Sequence, residues 1–363
     1  VTTAPAESLV DKQALVHQQA PVHQQAALQR PTGNRLDWAS LLEVLRQSQR
    51  IVLTSHVRPD CDALGSELGM LGILEALGKD VRIVNAQATP PNLAWIDPNR
   101  RIESLAEKVK PADLADRDLL IVLDTSAWAQ LGAMADVVKA MRDRVLVIDH
   151  HVSEDNLSDR WFKDTSAEAN ARIVYEIGLR LKVPLTPEIA TPLYAGLSTD
   201  TGGFRFPSTS GESFRIAARL VDAGASPPFI YRELFEQDTL PRLHLVGRTL
   251  TSARTAHDGK VIMSFVRQSD IREVQAQPSD TEDLVNLTLA VKGTEVAAIL
   301  IEQPDGRIKV SFRSRGPVDC SALAGRFGGG GHKAAAGAII DGPFEAVSDK
   351  VTAAVDEAWL GRA

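Results

Sequence analysis

The chain of 363 residues has only two cysteines, Cys61 and Cys320, far apart and without metal-type spacing. This excludes a disulfide framework and a thiolate zinc site, and makes a reducing, cytoplasmic setting the expectation. Aromatic residues are 5% of the chain and the five tryptophans are scattered, so none of them marks a base-stacking platform. No apolar run approaches the length of a membrane span, and the start of the chain lacks the charged and apolar regions of a secretory signal. Basic residues are not in excess: 40 Lys and Arg face 47 Asp and Glu, leaving a formal charge of −7. That balance argues against a protein that coats long nucleic acid. What remains is the composition of a soluble globular protein, 44% apolar and 24% charged, with room for two domains.

The first 34 residues are rich in Gln, Ala and Pro, with VHQQA at Val16–Ala20 and again at Val22–Ala26. This reads as a disordered or weakly helical tail, and His17 and His23 within it receive no role. Order begins with helical periodicity over Leu36–Gln49 and an apolar strand, Arg50–Thr54. A helix is expected over Ala63–Leu77, ending at Gly78. His56, Asp60 and Asp62 therefore fall in a strand-to-helix loop, where open α/β sheets place ligands. Taken singly they also fit ordinary roles, Asp62 as a helix cap and Asp60 as a turn residue after Pro59.

Recurrence tips that balance. A short strand follows at Asp80–Asn85. The aliphatic runs Asp118–Leu123 and Val145–Ile148 end at Asp124 and at Asp149, His150 and His151. Unbroken apolar strands separated by helical segments indicate a parallel sheet covered on both faces, and parallel neighbours deliver their carboxyl ends to one edge. Helices are expected over Glu168–Lys182 and Pro187–Ser198. A Thr- and Gly-rich turn, Thr199–Phe204, then carries Asp200 as a fourth acidic candidate. One imidazole among several carboxylates suits a hard or borderline divalent cation.

Helices over Ser210–Gly224, Pro227–Gln237 and Pro241–Arg254 lead to a change of pattern from Lys260. A strand, a helix around Thr281–Val291, strands Glu295–Glu302 and Arg307–Phe312, a short helix, a small-residue strand and a final helix make a second α/β domain. The expected division is a tail at 1–34, a catalytic domain at 35–237, a linker helix at 238–256 and a second domain at 257–363.

His56-x3-Asp60-x-Asp62, Asp124, Asp149-His150-His151 and Asp200, followed by Phe312–Arg315 (FRSR) and Gly328–Gly337 (GGGGHKAAAG), together resemble the DHH/DHHA1 phosphoesterases, specifically the standalone branch acting on nano-RNA and 3′-phosphoadenosine 5′-phosphate. The resemblance spans Leu36 to the carboxyl end. It implies an α/β fold, a parallel-sheet DHH domain with helices on both faces plus a smaller α/β DHHA1 domain, with the active-site cleft between them. It further implies two Mn²⁺ ions, with Mg²⁺ or Co²⁺ as alternatives, one on His56, Asp60 and Asp124 and the other on Asp62, Asp124, His150 and Asp200. Asp149 is implied as an orienting partner of an imidazole and His151 as the residue facing the substrate phosphate. Arg313, Ser314, Arg315 and the Gly329–Gly330–Gly331–His332 loop are implied to bind the substrate. Two cations roughly 3.5–4 Å apart acidify a water held between them and stabilise an in-line displacement at phosphorus. The implied substrates are short oligoribonucleotides, pApA-type dinucleotides and 3′-phosphoadenosine 5′-phosphate, with no membrane or long nucleic acid as partner, and the family reading allows a homodimer. Cys61 departs from the small Gly or Ala usual between the two aspartates, and reads as a buried, inert thiol. Two alternatives stand beside this reading: a manganese-dependent pyrophosphatase or polyphosphatase sharing the metal motifs, and a non-catalytic RNA-binding protein.

Overall fold

A computed structural model describes residues 34–361 except 106, 108, 153 and 154; all of the expected tail but Asn34, with its two histidines, lies outside the described residues. The chain divides into two compact units between Leu234 and Phe235. The first contains β1 (Asn34–Arg35), α1 (Trp38–Gln47), β2 (Arg50–Thr54), α2 (Cys61–Ala76), β3 (Asp80–Asn85), β4 (Ile102–Ser104), β5 (Leu119–Leu123), α3 (Met134–Ala140), β6 (Val145–Asp149) and β7 (Arg160–Lys163). Helices α4 (Asn170–Arg180), α5 (Pro187–Asp200), α6 (Gly211–Asp222) and α7 (Pro227–Phe235) follow.

The seven strands form one sheet in the order β1-β7-β6-β5-β2-β3-β4, and every neighbouring pair is parallel. Alternate residues serve opposite faces, as the period of a strand requires. Ile51, Leu53, Ile121, Leu123, Leu146 and Ile148 pack with α1, α2, α4 and α5. Val52, Val84, Leu120, Val122, Val145 and Val147 pack with α3 and its flanking turns. Both faces are therefore covered. The chain moves outward from β2 through β3 to β4, then returns to lay β5 on the other side of β2. The carboxyl ends of β2 and β5 thus flank the point where strand order reverses, the crevice where open α/β sheets bind ligands.

Several helix ends differ by one or two residues from the sequence expectation, and two of these differences move a candidate donor. Helix α2 begins at Cys61 rather than Ala63, because the Asp60 carboxylate accepts the N–H groups of Asp62 and Ala63 at 2.9 and 3.0 Å and caps the first turn. Asp62 is therefore on the helix and not in the loop. Asp200, expected in a turn, is the last residue of α5. The Thr199 and Thr201 hydroxyls bond back to carbonyls of the final turn, prolonging the helix until Gly202, Gly203 and Phe204, all at positive φ, end it.

Helices α2 and α5 are locked by the absence of side chains. A Cβ on Gly65 would land on the Pro192 carbonyl, one on Gly72 would lie 2.6 Å from Ile189 Cγ1, and one on Gly196 would lie 2.8 Å from Asp62 Oδ1. Close backbone approach is what glycine permits there.

The second unit contains α8 (Leu240–Ser252), β8 (Arg254–Ala256), β9 (Val261–Val266), α9 (Gln268–Val274), α10 (Leu284–Leu289), β10 (Val296–Glu302) and β11 (Ile308–Ser314). It closes with α11 (Cys320–Gly325), β12 (Gly330–Gly331), β13 (Ala335–Ile340) and α12 (Phe344–Leu360). Its sheet runs β12-β13-β11-β10-β9-β8, with only β9 and β10 parallel. Helix α8, expected as a linker, packs into this unit through Leu245, which joins Ile262, Ala297 and Ile299 in one core. Helices α11 and α12 cover the other face. No helix among the described residues is long and apolar enough to cross a membrane.

Gly65→Ala is expected to lower stability by about 1–3 kcal/mol, since a backbone carbonyl cannot swing aside. Gly247→Ala, in open space on α8, is expected to be neutral or to stabilise by up to about 1 kcal/mol. Thermal denaturation of both variants checks this; equal effects would contradict the close contact of α2 with α5.

Candidate metal centre

The loops after β2, β5 and β6 and the ends of α2 and α5 bring six side chains together. His56 leaves β2 and Asp60 precedes α2; Asp124 follows β5; His150 follows β6; Asp62 lies in the first turn of α2 and Asp200 at the end of α5. They form overlapping groups. His56, Asp60 and Asp124 are one; Asp62, His150 and Asp200 are a second; Asp124 with His150 and His151 is a third, each with donor atoms within 4.8 Å of one another.

The two inner imidazoles are aimed by the same device. His56 Nδ1 bonds the Val57 carbonyl at 3.0 Å and His150 Nδ1 the Ala167 carbonyl at 3.1 Å, so both present Nε2 to the carboxylates. His150 Nε2 lies 3.3 Å from Asp124 Oδ1, 3.4 Å from Asp200 Oδ2 and 3.7 Å from Asp62 Oδ2. His56 Nε2 lies 3.5 Å from Asp124 Oδ2 and 4.0 Å from Asp60 Oδ1. These separations exceed the usual hydrogen-bond range of about 2.7–3.2 Å. Asp124 Oδ1 and His150 Nε2 are buried without a hydrogen-bond partner among the described residues. Buried polar atoms left this way demand something between them. Carboxylate oxygens and unprotonated imidazole nitrogens fit a divalent cation of the Mn²⁺ or Mg²⁺ type.

Each carboxylate is positioned by a separate local feature. Asp124 sits in the left-handed region at φ 60, with its N–H on the Ile148 carbonyl at 3.0 Å. Asp62 is buried and accepts the first N–H groups of α4, from Asn170 at 2.6 Å and Ala171 at 2.8 Å. The positive end of that helix offsets its charge.

His151 stands apart from the inner group and is half exposed. Its Nδ1 donates to Asp149 Oδ1 at 2.8 Å, and its backbone N–H donates to the same oxygen at 3.1 Å. Asp149 is fully buried and faces the Lys163 ammonium at 3.3 Å. Burial opposes its ionisation, but the bonds from His151 and Ser126 outweigh this and hold the carboxyl at about 2.

Three participants are not marked by the sequence: Lys163, Glu67 and Asn85. Lys163 comes from β7, a strand too short and too charged to stand out. Glu67 is completely buried on α2, held by Asn85 Nδ2 at 2.9 Å, and Asn85 Oδ1 in turn accepts the Ser55 N–H at 3.1 Å, beside His56. Burial, only partly offset by the bonds from Asn85 and Ser55, lifts Glu67 to about 7. The available signal was a Glu set among the apolar residues in the middle of α2. Cys61 is buried and its thiol is pushed up to about 12, by burial first and the surrounding aspartates second. It is inert.

In the second unit the FRSR and GGGGH segments meet at one end of the sheet. Arg313 pairs with Ala335 across β11 and β13, and the Ser314 N–H bonds the Ala334 carbonyl. The expected ligands differ in availability. Arg313 Nε donates to Asn286 Oδ1 at 3.1 Å, while Arg315 lies exposed just beyond the strand. Ser314 is buried on the opposite face from Arg313, its hydroxyl accepting the N–H groups of Gly316 and Val318 at 3.1 and 3.2 Å. It braces the turn. Gly330 and Gly331 form β12, and a Cβ on Gly329 would strike the Gly337 carbonyl. These glycines thus serve close strand packing, and they present His332 exposed at the hairpin turn.

The pKa pattern of the inner group is that of a site awaiting positive charge. Burial disfavours protonated His56 and His150, yet the adjacent Asp124 carboxylate and the other carboxylates nearby outweigh it and raise them to about 9 and about 10. Asp200 is lifted to about 7 by burial and by Asp124 and Asp60. Both imidazoles therefore carry protons at pH 7 when no cation is bound, and a cation must displace them. Mn²⁺ uptake is expected to release protons at pH 7 and to tighten as pH rises from 6 to 9. Calorimetry in buffers of different ionisation enthalpy checks this, and uptake without proton release would contradict the assigned donors.

Comparison with known proteins places these features in a family. The model for the DHH family, N-terminal domain, matches residues 50–197, and that for the DHHA1 domain matches residues 258–359. The bifunctional oligoribonuclease and PAP phosphatase NrnA of Thermus thermophilus is 33% identical over 310 residues, covering 85% of this chain and 89% of that protein. The Bacillus subtilis protein of the same name is 29% identical over 306 residues, 83% of this chain and 92% of its own length. A solved exopolyphosphatase-related protein from Bacteroides fragilis superposes with a TM-score of 0.80 at 27% identity, covering 89% of this chain and 96% of that one. With a domain model matched in each unit and a 33%-identical relative matched over most of its length, the chain belongs to the DHH family, carrying an amino-terminal DHH domain and a carboxyl-terminal DHHA1 domain.

Proposed function

We propose that the chain is a cytoplasmic, Mn²⁺-dependent phosphoesterase that hydrolyses short oligoribonucleotides, pApA-type dinucleotides and 3′-phosphoadenosine 5′-phosphate. The observation that carries this reading is the pair of donor groups, His56–Asp60–Asp124 and Asp62–His150–Asp200, with Asp124 in contact with both. The NrnA relatives named above supply the substrate class. Two divalent cations, held by these groups, would furnish an acidified water and positive charge against the phosphoryl oxygens.

The protein's own residues define the rest. Asp124 offers one oxygen to each side of the centre, so it fixes the spacing of the two groups. His151 is half exposed and anchored through Nδ1 to Asp149, which leaves its other ring nitrogen out of that bond. Its pKa is raised, chiefly by the Asp149 hydrogen bond, so it stays protonated to higher pH. There it binds a phosphoryl oxygen and can hand a proton to the leaving oxygen. Arg313, Arg315 and His332 supply nucleotide recognition, Arg through planar contact with phosphate. Ser314 contributes by holding the turn that carries Arg315.

A substrate panel on Mn²⁺-loaded protein tests the assignment. A dinucleotide and 3′-phosphoadenosine 5′-phosphate are expected to be hydrolysed faster than long RNA, pyrophosphate or polyphosphate; pyrophosphate or polyphosphate as the best substrate would favour the inorganic reading. Asp124→Ala is expected to cut turnover on every substrate by at least about 100-fold. His332→Ala should impair the dinucleotide much more than a nitrophenyl phosphoester that needs only the metal centre. Equal losses on both would remove the recognition role.

A further inference from the structure

Glu67 is completely buried on α2 and stands in none of the donor groups of the metal centre. A carboxyl group in such a place is costly unless it is bonded, and an apolar side chain would cover the sheet at lower cost. Its Oε2 accepts from Asn85 Nδ2 at 2.9 Å.

Asn85, the last residue of β3 and itself buried, joins α2 to the carboxyl end of β2. Its Oδ1 accepts the Ser55 N–H at 3.1 Å and the Thr54 hydroxyl at 3.3 Å. A backbone N–H can only donate, so the amide oxygen must face β2 and the amide NH₂ must face Glu67. The β2–β3 pairing ends at Leu53 and Ile83. Beyond it the Asn85 side chain takes the place of a strand partner.

His56 is the next residue. Its Nδ1 bonds the carbonyl of its own neighbour Val57, which fixes the ring relative to the loop but not relative to Asp124. Holding the loop relative to the sheet falls to its backbone N–H groups. Ser55 donates to Asn85, Val57 to the Gln130 carbonyl at 2.7 Å, and Arg58 to Gln87 Oε1 at 3.0 Å. The Arg58 bond is exposed, whereas the Ser55 bond is buried and its acceptor is aimed by a second buried side chain. A buried bond of this kind exchanges less readily with water and holds its geometry.

We propose that Glu67 and Asn85 are positioning residues for the metal centre: Glu67 orients the Asn85 amide, and Asn85 holds Ser55 so that His56 Nε2 stays aimed at Asp60 and Asp124. This rests on His56 as a donor of that centre and is independent of which phosphoester is hydrolysed.

The test measures Mn²⁺ affinity of the full chain by calorimetry at a fixed pH, with the melting temperature of the metal-free protein taken alongside. Asn85→Ala strands both the Ser55 N–H and Glu67, and is expected to weaken Mn²⁺ uptake by about tenfold. Leu114→Ala, in the fully buried core ahead of β5, is the control for stability alone; it is expected to lower the melting temperature and leave affinity unchanged. Asn85→Asp sets an acceptor against Glu67 and is also expected to weaken uptake. Adding Glu67→Gln to Asn85→Asp exchanges donor and acceptor across the pair, and is expected to restore most of the lost affinity. A loss in Asn85→Ala no larger than in Leu114→Ala, or no recovery when Glu67→Gln is added to Asn85→Asp, would overturn the proposal and leave the metal-centre reading standing. A wild-type chain that takes up no Mn²⁺ would overturn both.

Discussion

Like charges held close together in a half-buried place are the constraint on which the first unit depends. Asp62, Asp124 and Asp200 surround a single imidazole at 3.3–3.7 Å, and burying carboxylates is costly unless each is paired. The fold meets part of that cost locally. The amino end of α4 serves Asp62, Lys163 serves Asp149, and two imidazoles serve Asp124. It also accepts a left-handed Asp124, a conformation that costs an L-residue about 1–2 kcal/mol. The negative charge left over is balanced by protons when the site is bare and by cations when it is loaded. Chemistry at phosphorus follows from that second state, because a site that collects positive charge also collects an anionic ester.

The topology explains why so many donors arrive in one place. A parallel sheet sends every strand's carboxyl end to one edge, but a sequence that simply added strands outward would spread the donors along it. Here the chain returns to lay β5 beside β2, then β6 beside β5. Three donor-bearing loops therefore leave neighbouring strands, about 4.8 Å apart across the sheet. Helices α2 and α5 supply the rest because glycine and proline let them pack backbone to backbone, which brings Asp62 at the start of one helix near Asp200 at the end of the other.

What could be read from the sequence follows from this geometry. Strands β2, β5 and β6 are covered on both faces, so they appear as near-continuous aliphatic runs with few rival interpretations. The donors at their ends were legible with them. The short strand β7 was not, because its four residues are two aromatics flanked by two cations, and Lys163 was hidden with it. Helix boundaries were misjudged at Asp62 and Asp200 for a related reason. Asp and Thr disfavour helix interiors, yet at these ends their side chains satisfy terminal N–H and carbonyl groups and extend the helix. Ser314 shows the reverse case. Strand alternation separates it from Arg313 and turns it inward, although the FRSR motif reads as one recognition patch.

The same residues that present as ligands are also structural caps, so folding and metal binding are not separable in this unit. Asp60 caps α2 through Oδ1 and also stands in one donor group. Asp62 caps α4 with both oxygens and stands in the other. A cap of this kind contributes about 0.5–2 kcal/mol, and its loss would loosen the helix that aims the neighbouring donors. A substitution at either aspartate therefore removes a ligand and an orienting contact together. Asp124 differs: it caps no helix among the described residues, and the cationic partners its carboxylate faces are His56, His150 and His151. It is the position at which the charge of the centre can be removed while the helices that frame it keep their caps, and so the position at which the chemistry can be separated from the fold.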